Sequence, residues 1–153
     1  MIELGKASDT ESRAAKAPAR HDAKYNCSQS VLCTYADLLG ISKEEAYITA
    51  SAMGSGMTAF STCGAVTAMA LAAGFATCDG KLDQSETKKT TTMLTRAMIA
   101  EFLEKNGSLL CRELKGIDTG TVMSSCDKCI EDASLIIEKH ILGITSGKPT
   151  VEK

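Results

Sequence analysis

The sequence predicts an all-α fold, a compact helical domain of five or six helices around a central Ala-rich helix. Apolar residues recur at helical spacing through most of the chain, and the alternating pattern of strands is nearly absent. Residues 65–76 are apolar on nearly every side, which indicates the most buried helix of the fold. A bilayer span needs about 20 apolar residues, so this stretch is too short to cross a membrane.

Composition supports one ordinary globular domain. The chain has 153 residues, of which 44% are hydrophobic and 24% charged, and its net charge is −2. A net charge this close to zero argues against binding to nucleic acid, which requires a positively charged surface. The first 25 residues are polar and contain no apolar core of a secretory signal, so a cytoplasmic location is expected.

Three regions are expected along the chain. Residues 1–24 are expected to form a partly ordered tail, because Pro18 interrupts a helix-prone segment, although this segment could become a short leading helix on packing. Residues 25–144 carry the helical pattern and all the cysteines. Residues 145–153 are polar and are expected to form a solvated C-terminal tail.

The first three helices of the domain follow from their start and stop signals. The first covers residues 28–39 and ends at Gly40. Ser42 and Glu45 form a capping box for a second helix that reaches about residue 53. After a glycine-rich break, the Ala-rich helix covers residues 63–74, and its small side chains allow close approach of neighbours.

The second half of the domain contains a long helix, a short turn and a last helix. The long helix covers residues 85–106, with Gly107 just beyond its end. A short turn covers residues 111–114. The last helix begins near Ser125 and has an apolar stripe suited to burial, formed by Ile130, Ala133, Ile137 and Ile141.

Seven cysteines are the unusual feature of the composition. They are Cys27, Cys33, Cys63, Cys78, Cys111, Cys126 and Cys129. Because the number is odd and no export signal is visible, we expect reduced thiols. Clusters of reduced cysteines more often bind metal or carry out redox chemistry than cross-link a fold.

Four of these cysteines stand where a helix or turn begins, namely Cys27, Cys63, Cys111 and Cys126. Unpaired N–H groups and the helix dipole favour thiolate over thiol at such positions, and thiolate is the form that binds metals. We therefore expect these four sulfurs to converge on one metal site.

The remaining cysteines and both histidines receive other interpretations. Cys33 lies on a different face of its helix and Cys78 beside a turn, so both are expected to stand apart from the site. Cys129 forms a C-x-x-C with Cys126, a spacing typical of dithiol redox motifs, and is a secondary candidate ligand. His21 and His140 are expected to be surface residues.

Four segments, taken in order, resemble the C-GCAxxG-C-C family of bacterial and archaeal proteins, for which redox activity is expected. They are residues 26–32 (NCSQSVL), residues 54–57 with 63–67 (GSGM and CGAVT), residues 107–114 (GSLLCREL) and residues 126–133 (CDKCIEDA). The resemblance covers about residues 25–141. The last glycine of the C-G-A-x-x-G core is Ala68 here, which adds a methyl group.

The resemblance implies a helical domain in which four cysteines gather for redox or metal chemistry. A related domain occurs in split-Soret-type cytochromes, where an iron–sulfur centre accompanies it, but the haem-attaching part of those proteins is not matched. Under this interpretation Cys27, Cys63, Cys111 and Cys126 bind a [2Fe–2S] or [4Fe–4S] cluster. Gly54, Gly56 and Gly64 would then contribute backbone N–H groups to it.

Two alternatives remain open at the level of sequence. One is a metal-free thiol–disulfide oxidoreductase that uses Cys126 and Cys129, or Cys63 with a cysteine nearby in space. The other is a structural zinc site built from the same four thiolates. The cluster interpretation requires an unidentified redox partner protein, and the Ala-rich, aromatic-poor composition also suggests a homodimer.

Overall fold

The computed structural model describes residues 11–144, which fold into an all-α domain as predicted. Its α-helices are α1 (Pro18–Asp22), α2 (Cys27–Tyr35), α3 (Lys43–Thr49), α4 (Gly64–Thr77), α5 (Lys88–Asn106), α6 (Cys111–Lys115) and α7 (Cys126–Ile137). The number of α-helices in residues 11–144 exceeds the expected five or six, because α1 and α6 form where the sequence indicated a tail and a turn. Each of these two helices has five residues. In this part of the chain no helix is both long and apolar enough to cross a membrane.

Helix α4 occupies the centre of the fold, as its composition predicts. It packs against α2, α5 and α7. Ala68, Ala72 and Ala73 are fully buried on it, so small side chains let three helices approach the same axis. The extra methyl group of Ala68 is accommodated inside this core.

Helix α2 is nevertheless more completely buried than α4, so the prediction that α4 is the most buried helix is wrong. Every residue of α2 after Cys27 is buried. Its polar side chains bond within the helix or to neighbouring elements: Ser30 Oγ donates to the Asn26 carbonyl at 2.8 Å, Ser28 Oγ lies 3.3 Å from Thr67 Oγ1 of α4, and Gln29 Nε2 donates to the Tyr47 carbonyl of α3 at 2.9 Å. Because these groups are satisfied internally, a helix that looks polar in sequence can lie in the core.

Several helix ends differ from those expected. Helix α4 continues through Gly74 to Thr77, because burial of Ala76 outweighs the cost of about 1 kcal/mol for one glycine in a helix. Helix α3 ends at Thr49 rather than near residue 53, and α5 begins at Lys88 rather than residue 85. The predicted capping box of Ser42 and Glu45 is present.

The N-terminal segment packs onto the domain from residue 11, whereas a tail was expected up to residue 24. The buried carboxylate of Glu138 accepts hydrogen bonds from Ser12 Oγ and the Arg13 backbone N–H, both at 2.7 Å. Arg13 also pairs with Asp37 at 2.7 Å. These contacts hold the N-terminal segment against the domain, beside the end of α7. Residues 1–10 and the predicted C-terminal tail of residues 145–153 lie outside the described part of the chain.

Candidate functional site

Five cysteines line one cavity of about 60 Å³ near the first residues of α2, α4, α6 and α7. They are Cys27, Cys63, Cys111, Cys126 and Cys129. The cavity therefore brings together the four predicted ligands and the secondary candidate. Cys33 and Cys78 do not line it: the first is buried with its sulfur 3.8 Å from the Lys43 carbonyl, and the second is exposed at the end of α4.

A capping box positions Cys27. The Asn26 side chain accepts the backbone N–H of Gln29 at 2.7 Å, and the Gln29 side chain accepts the N–H of Asn26 at 2.9 Å. Asn26 is therefore the N-cap, and Cys27 becomes the first residue of α2. The backbone N–H groups of Ser55, Gly64 and Ser28 act to lower the pKa of Cys27, against the larger effect of burial. The N-C-x-Q motif is therefore a helix cap, and the spacing of Asn26 and Gln29 in the sequence could have indicated it.

Cys63 and Cys111 are held by a short pairing of two loops. Residues Thr62 and Leu110 form an isolated antiparallel bridge. Beside it, the N–H of Cys63 donates to the Leu109 carbonyl at 2.8 Å, and that of Cys111 donates to the Ser61 carbonyl at 2.6 Å. Cys63 is the N-cap of α4 and Cys111 is the first residue of α6, so this pairing sets two helix starts side by side.

The three glycines predicted to approach a cofactor lie against the cysteine-bearing segments. A Cβ on Gly64 would stand 2.3 Å from Cys27 Sγ, and one on Gly54 would stand 2.5 Å from Asn26 Cβ. A Cβ on Gly56, whose φ is +61°, would stand 2.8 Å from Cys111 Cβ. The glycines therefore provide the space that lets the cysteines approach one another, and a direct role toward a cofactor stays a prediction.

The loop before α4 is strained. Ser55, Met57, Thr58 and Phe60 have φ values of 50°, 57°, 60° and 56°. Each non-glycine residue held in this region costs of order 1–3 kcal/mol, and such strain concentrates at functional sites. Ser55 lines the cavity, so the strained loop forms part of the site wall.

Helix α7 supplies two sulfurs with different surroundings. Ser125 caps the helix by accepting the Lys128 N–H at 3.1 Å, which makes Cys126 its first residue. Cys126 is partly exposed, whereas Cys129 is 2% exposed. Cys129 Sγ donates to Ser124 Oγ at 3.7 Å. Cys129 shares the cavity with Cys63, which lies at the start of a different helix.

Burial governs the protonation of most of these thiols. It raises the pKa of Cys27, Cys111 and Cys126, and it outweighs the helix starts that were expected to favour thiolate. Interaction with the Cys129 side chain, together with burial, raises the pKa of Cys63, while the same interaction lowers that of Cys129. The protein therefore holds mostly thiols until a ligand displaces their protons.

Two cavity residues were missed by sequence reasoning. Lys115, at the end of α6, lines the cavity, and its charge lowers the pKa of Cys111 and Cys126 against the larger effect of burial. His21 of α1 also lines it, with Nδ1 3.6 Å from Asp127 Oδ1, although a surface position in a tail was expected. Only the packing of α1 against α7 brings His21 to the site. His140 bonds Glu101 at 2.8 Å and does not line the cavity.

The sulfurs surround the cavity rather than a single point. Over residues 11–144, no three His, Cys, Asp or Glu side chains are gathered at the spacing of ligands around one metal ion. Ligands of a single zinc ion all lie within about 2.3 Å of it, which requires closer convergence than this arrangement has.

The fold and the cavity define a class of protein: an all-α domain in which cysteines from separate helix starts share one cavity. The chain belongs to the family described as "Putative redox-active protein (C_GCAxxG_C_C)", which matches residues 25–140. The matched region contains all seven cysteines. Comparison with curated proteins found no match, and comparison with solved structures found none either.

Proposed function

We propose that this protein binds an iron–sulfur cluster in the five-cysteine cavity and transfers electrons to a partner protein. The observation that carries the proposal is the gathering of Cys27, Cys63, Cys111 and Cys126 from four separate segments around one cavity. Membership of a family described as redox-active agrees with it. Cys27 and Cys126 are only partly buried, which suits electron transfer to a partner at the surface.

The donor set fits a cluster better than a single ion. Four thiolates are the usual ligands of both [2Fe–2S] and [4Fe–4S] centres. In a [4Fe–4S] centre each cysteine binds its own iron, so the sulfurs surround a volume instead of meeting at one atom. The cavity of about 60 Å³ between the sulfurs matches that requirement better than it matches a structural zinc site.

Residues around the cysteines would offset the charge that thiolates bring into a buried site. The backbone N–H groups of Ser55, Gly64 and Ser28 act to lower the pKa of Cys27 and so favour its thiolate. Lys115 supplies a positive charge beside Cys111 and Cys126. When bound, a cluster provides a one-electron centre whose potential depends on such hydrogen bonds and charges. Hydrogen-bond donors and Lys115 should therefore raise the potential.

Serine substitution of single cysteines tests the proposal. After anaerobic reconstitution with iron and sulfide, Cys27→Ser, Cys63→Ser, Cys111→Ser and Cys126→Ser should each lose most bound iron and visible absorption. Cys33→Ser is the matched control, because Cys33 is also buried but does not line the cavity, and it should retain both. Equal iron content in all five variants would contradict the assignment.

Cys129→Ser separates the predicted ligand from its neighbour on α7. If Cys126 is the ligand from this helix, Cys129→Ser should keep nearly all the iron while Cys126→Ser loses it. Comparable loss in the two variants would refute Cys126 as the sole ligand from α7. The thiols must stay reduced for this function, so we place the protein in the cytoplasm.

A further inference from the structure

We propose that residues 11–24 form a latched cover over the cysteine cavity and control the access of small molecules to Cys126. These residues, here called the N-terminal strap, contain a 3₁₀ helix (Ala14–Lys16) and α1. The strap packs against α2 and α7 and reaches the cavity, where His21 forms part of the wall. The cover itself is independent of the proposed function. Only its effect on cluster assembly rests on that function.

His21 stands at the mouth of the cavity. It lines the cavity, yet 35% of its side chain is exposed, so it lies where the cavity meets solvent. Its Nδ1 lies 3.6 Å from Oδ1 of Asp127, the residue that follows Cys126. Cys126 also lines the cavity and is itself partly exposed. His21 therefore stands on the side of the mouth from which the Cys126 sulfur is reached.

Polar contacts, here called the latch, hold the far end of the strap. The buried carboxylate of Glu138 accepts hydrogen bonds from Ser12 Oγ and from the Arg13 backbone N–H, both at 2.7 Å. The guanidinium of Arg13 donates to the Thr34 carbonyl at 2.9 Å and to Asp37 Oδ1 at 2.7 Å. The latch therefore joins the strap to α2, to the turn after α2 and to the residue after α7.

The strap buries little apolar surface between the latch and the mouth. Its buried residues are Ala14 and Ala17, and α1 has none. Arg20 adds one hydrogen bond, from Nε to Thr34 Oγ1 at 3.2 Å. Lys24, at the joint with α2, has a φ of +75°, which is uncommon for a residue other than glycine. Segments with few buried apolar contacts open at a low free-energy cost, so the strap can lift while the core stays folded.

Thiol labelling tests whether the latch controls access to the cavity. Reduced, cluster-free protein is treated with N-ethylmaleimide, and the labelling rate of each cysteine is measured by mass spectrometry. The double variant Ser12→Ala/Arg13→Ala removes the side-chain contacts of the latch, so Cys126 should be labelled about tenfold faster than in the wild type. Lys16→Ala, at an exposed position of the same strap, is the control and should leave the rate unchanged.

Two other cysteines in the same sample show whether the opening is local. Cys33 is buried away from the cavity, so its labelling rate reports unfolding of the whole domain. Cys78 is exposed, so its rate reports the reactivity of the reagent itself. Both rates should be the same in the double variant and in the wild type. Equal labelling of Cys126 in these two proteins, or an equal rise at Cys33 and Cys126, would overturn the proposal.

His21→Ala tests the mouth without touching the latch. Loss of the imidazole should speed the labelling of Cys126 severalfold, while the urea unfolding curve stays unchanged. His140→Ala is the matched control, because His140 bonds Glu101 at 2.8 Å and does not line the cavity. An unchanged rate in His21→Ala, or the same rise in both variants, would overturn the assignment of His21 to the mouth.

Iron loading tests the effect of the cover on the proposed cluster separately. During anaerobic reconstitution with iron and sulfide, the Ser12→Ala/Arg13→Ala variant should reach the same final iron content as the wild type, but sooner. Equal loading times would overturn the control of cluster assembly by the strap. If neither protein binds iron, the proposed function fails, while the labelling rates still decide whether the strap covers the cavity.

Discussion

Replacement of Gly64 by alanine is a stringent test of how the cysteines are packed. Gly64 is the first residue of α4, and its φ lies in the ordinary region, so the alanine backbone itself is not strained. The added Cβ would stand 2.3 Å from Cys27 Sγ and 2.9 Å from the Met53 carbonyl oxygen. Real Cβ atoms essentially never approach other atoms this closely, so Cys27 or the backbone at Met53 must move.

The expected loss of stability follows from two opposed effects. Overpacking a filled site costs about 1–3 kcal/mol, and a contact with backbone places Gly64 at the upper end of that range. Alanine is a better helix former than glycine by about 1 kcal/mol, which offsets part of the cost. We therefore expect Gly64→Ala to lower the free energy of unfolding by about 2 kcal/mol.

Gly74→Ala provides a matched control on the same helix. A Cβ at Gly74 has no atom within 4 Å, so only the helix preference remains, and stability should rise by about 1 kcal/mol. Urea unfolding of reduced, cluster-free protein, followed by circular dichroism, measures both variants. Native-state alkylation should also label Cys27 faster in Gly64→Ala than in the wild type. If Gly64→Ala is as stable as Gly74→Ala, the close packing of Gly64 on Cys27 is wrong.

Three further predictions concern residues outside the cavity. Tyr35→Phe should lower the free energy of unfolding by about 1.5–3 kcal/mol in urea, because the Tyr35 hydroxyl donates to the buried Glu138 carboxylate at 2.5 Å; an unchanged midpoint would refute this role. The hydrogen bond from Arg13 lowers the pKa of Asp37, so this ion pair stabilises the fold above the unfolded-state pKa and its contribution disappears as the pH falls through the folded-state pKa. Because Asp37 is largely exposed, Asp37→Asn should cost only about 0.2–1 kcal/mol at pH 7 and nothing once the pH lies well below the folded-state pKa, whereas a pH-independent cost would contradict the ion-pair explanation. Gly116→Ala should be more damaging than Gly120→Ala in thermal unfolding, because both have positive φ but only the Cβ at Gly116 would meet an atom, Thr121 O at 2.1 Å; equal losses would show that backbone strain alone decides.

Local signals were sufficient to predict the helical class and several helix ends. The Ser42–Glu45 capping box begins α3 as expected, and Gly107 follows the last residue of α5 with a φ of +87°. These features depend on contacts between residues a few positions apart, which appear in sequence as fixed spacings.

Features that depend on packing between distant segments could not be predicted from local spacing in the sequence. His21 reaches the cavity only because α1 packs against α7. Cys129 was interpreted through its spacing from Cys126, whereas it also shares the cavity with Cys63, which lies 66 positions away in sequence. Burial of the thiols also opposes the thiolate preference of helix starts, and sequence position alone could not show which effect is larger.

Metal and sulfide analysis of anaerobically purified and reconstituted wild-type protein shows whether the cavity binds an iron–sulfur cluster. We expect a brown protein with visible absorption, equal amounts of iron and acid-labile sulfide, and little zinc, because four cysteines around one cavity suit an iron–sulfur centre. A colourless protein that holds neither iron nor sulfide after reconstitution, with the cysteines confirmed as free thiols, would contradict it.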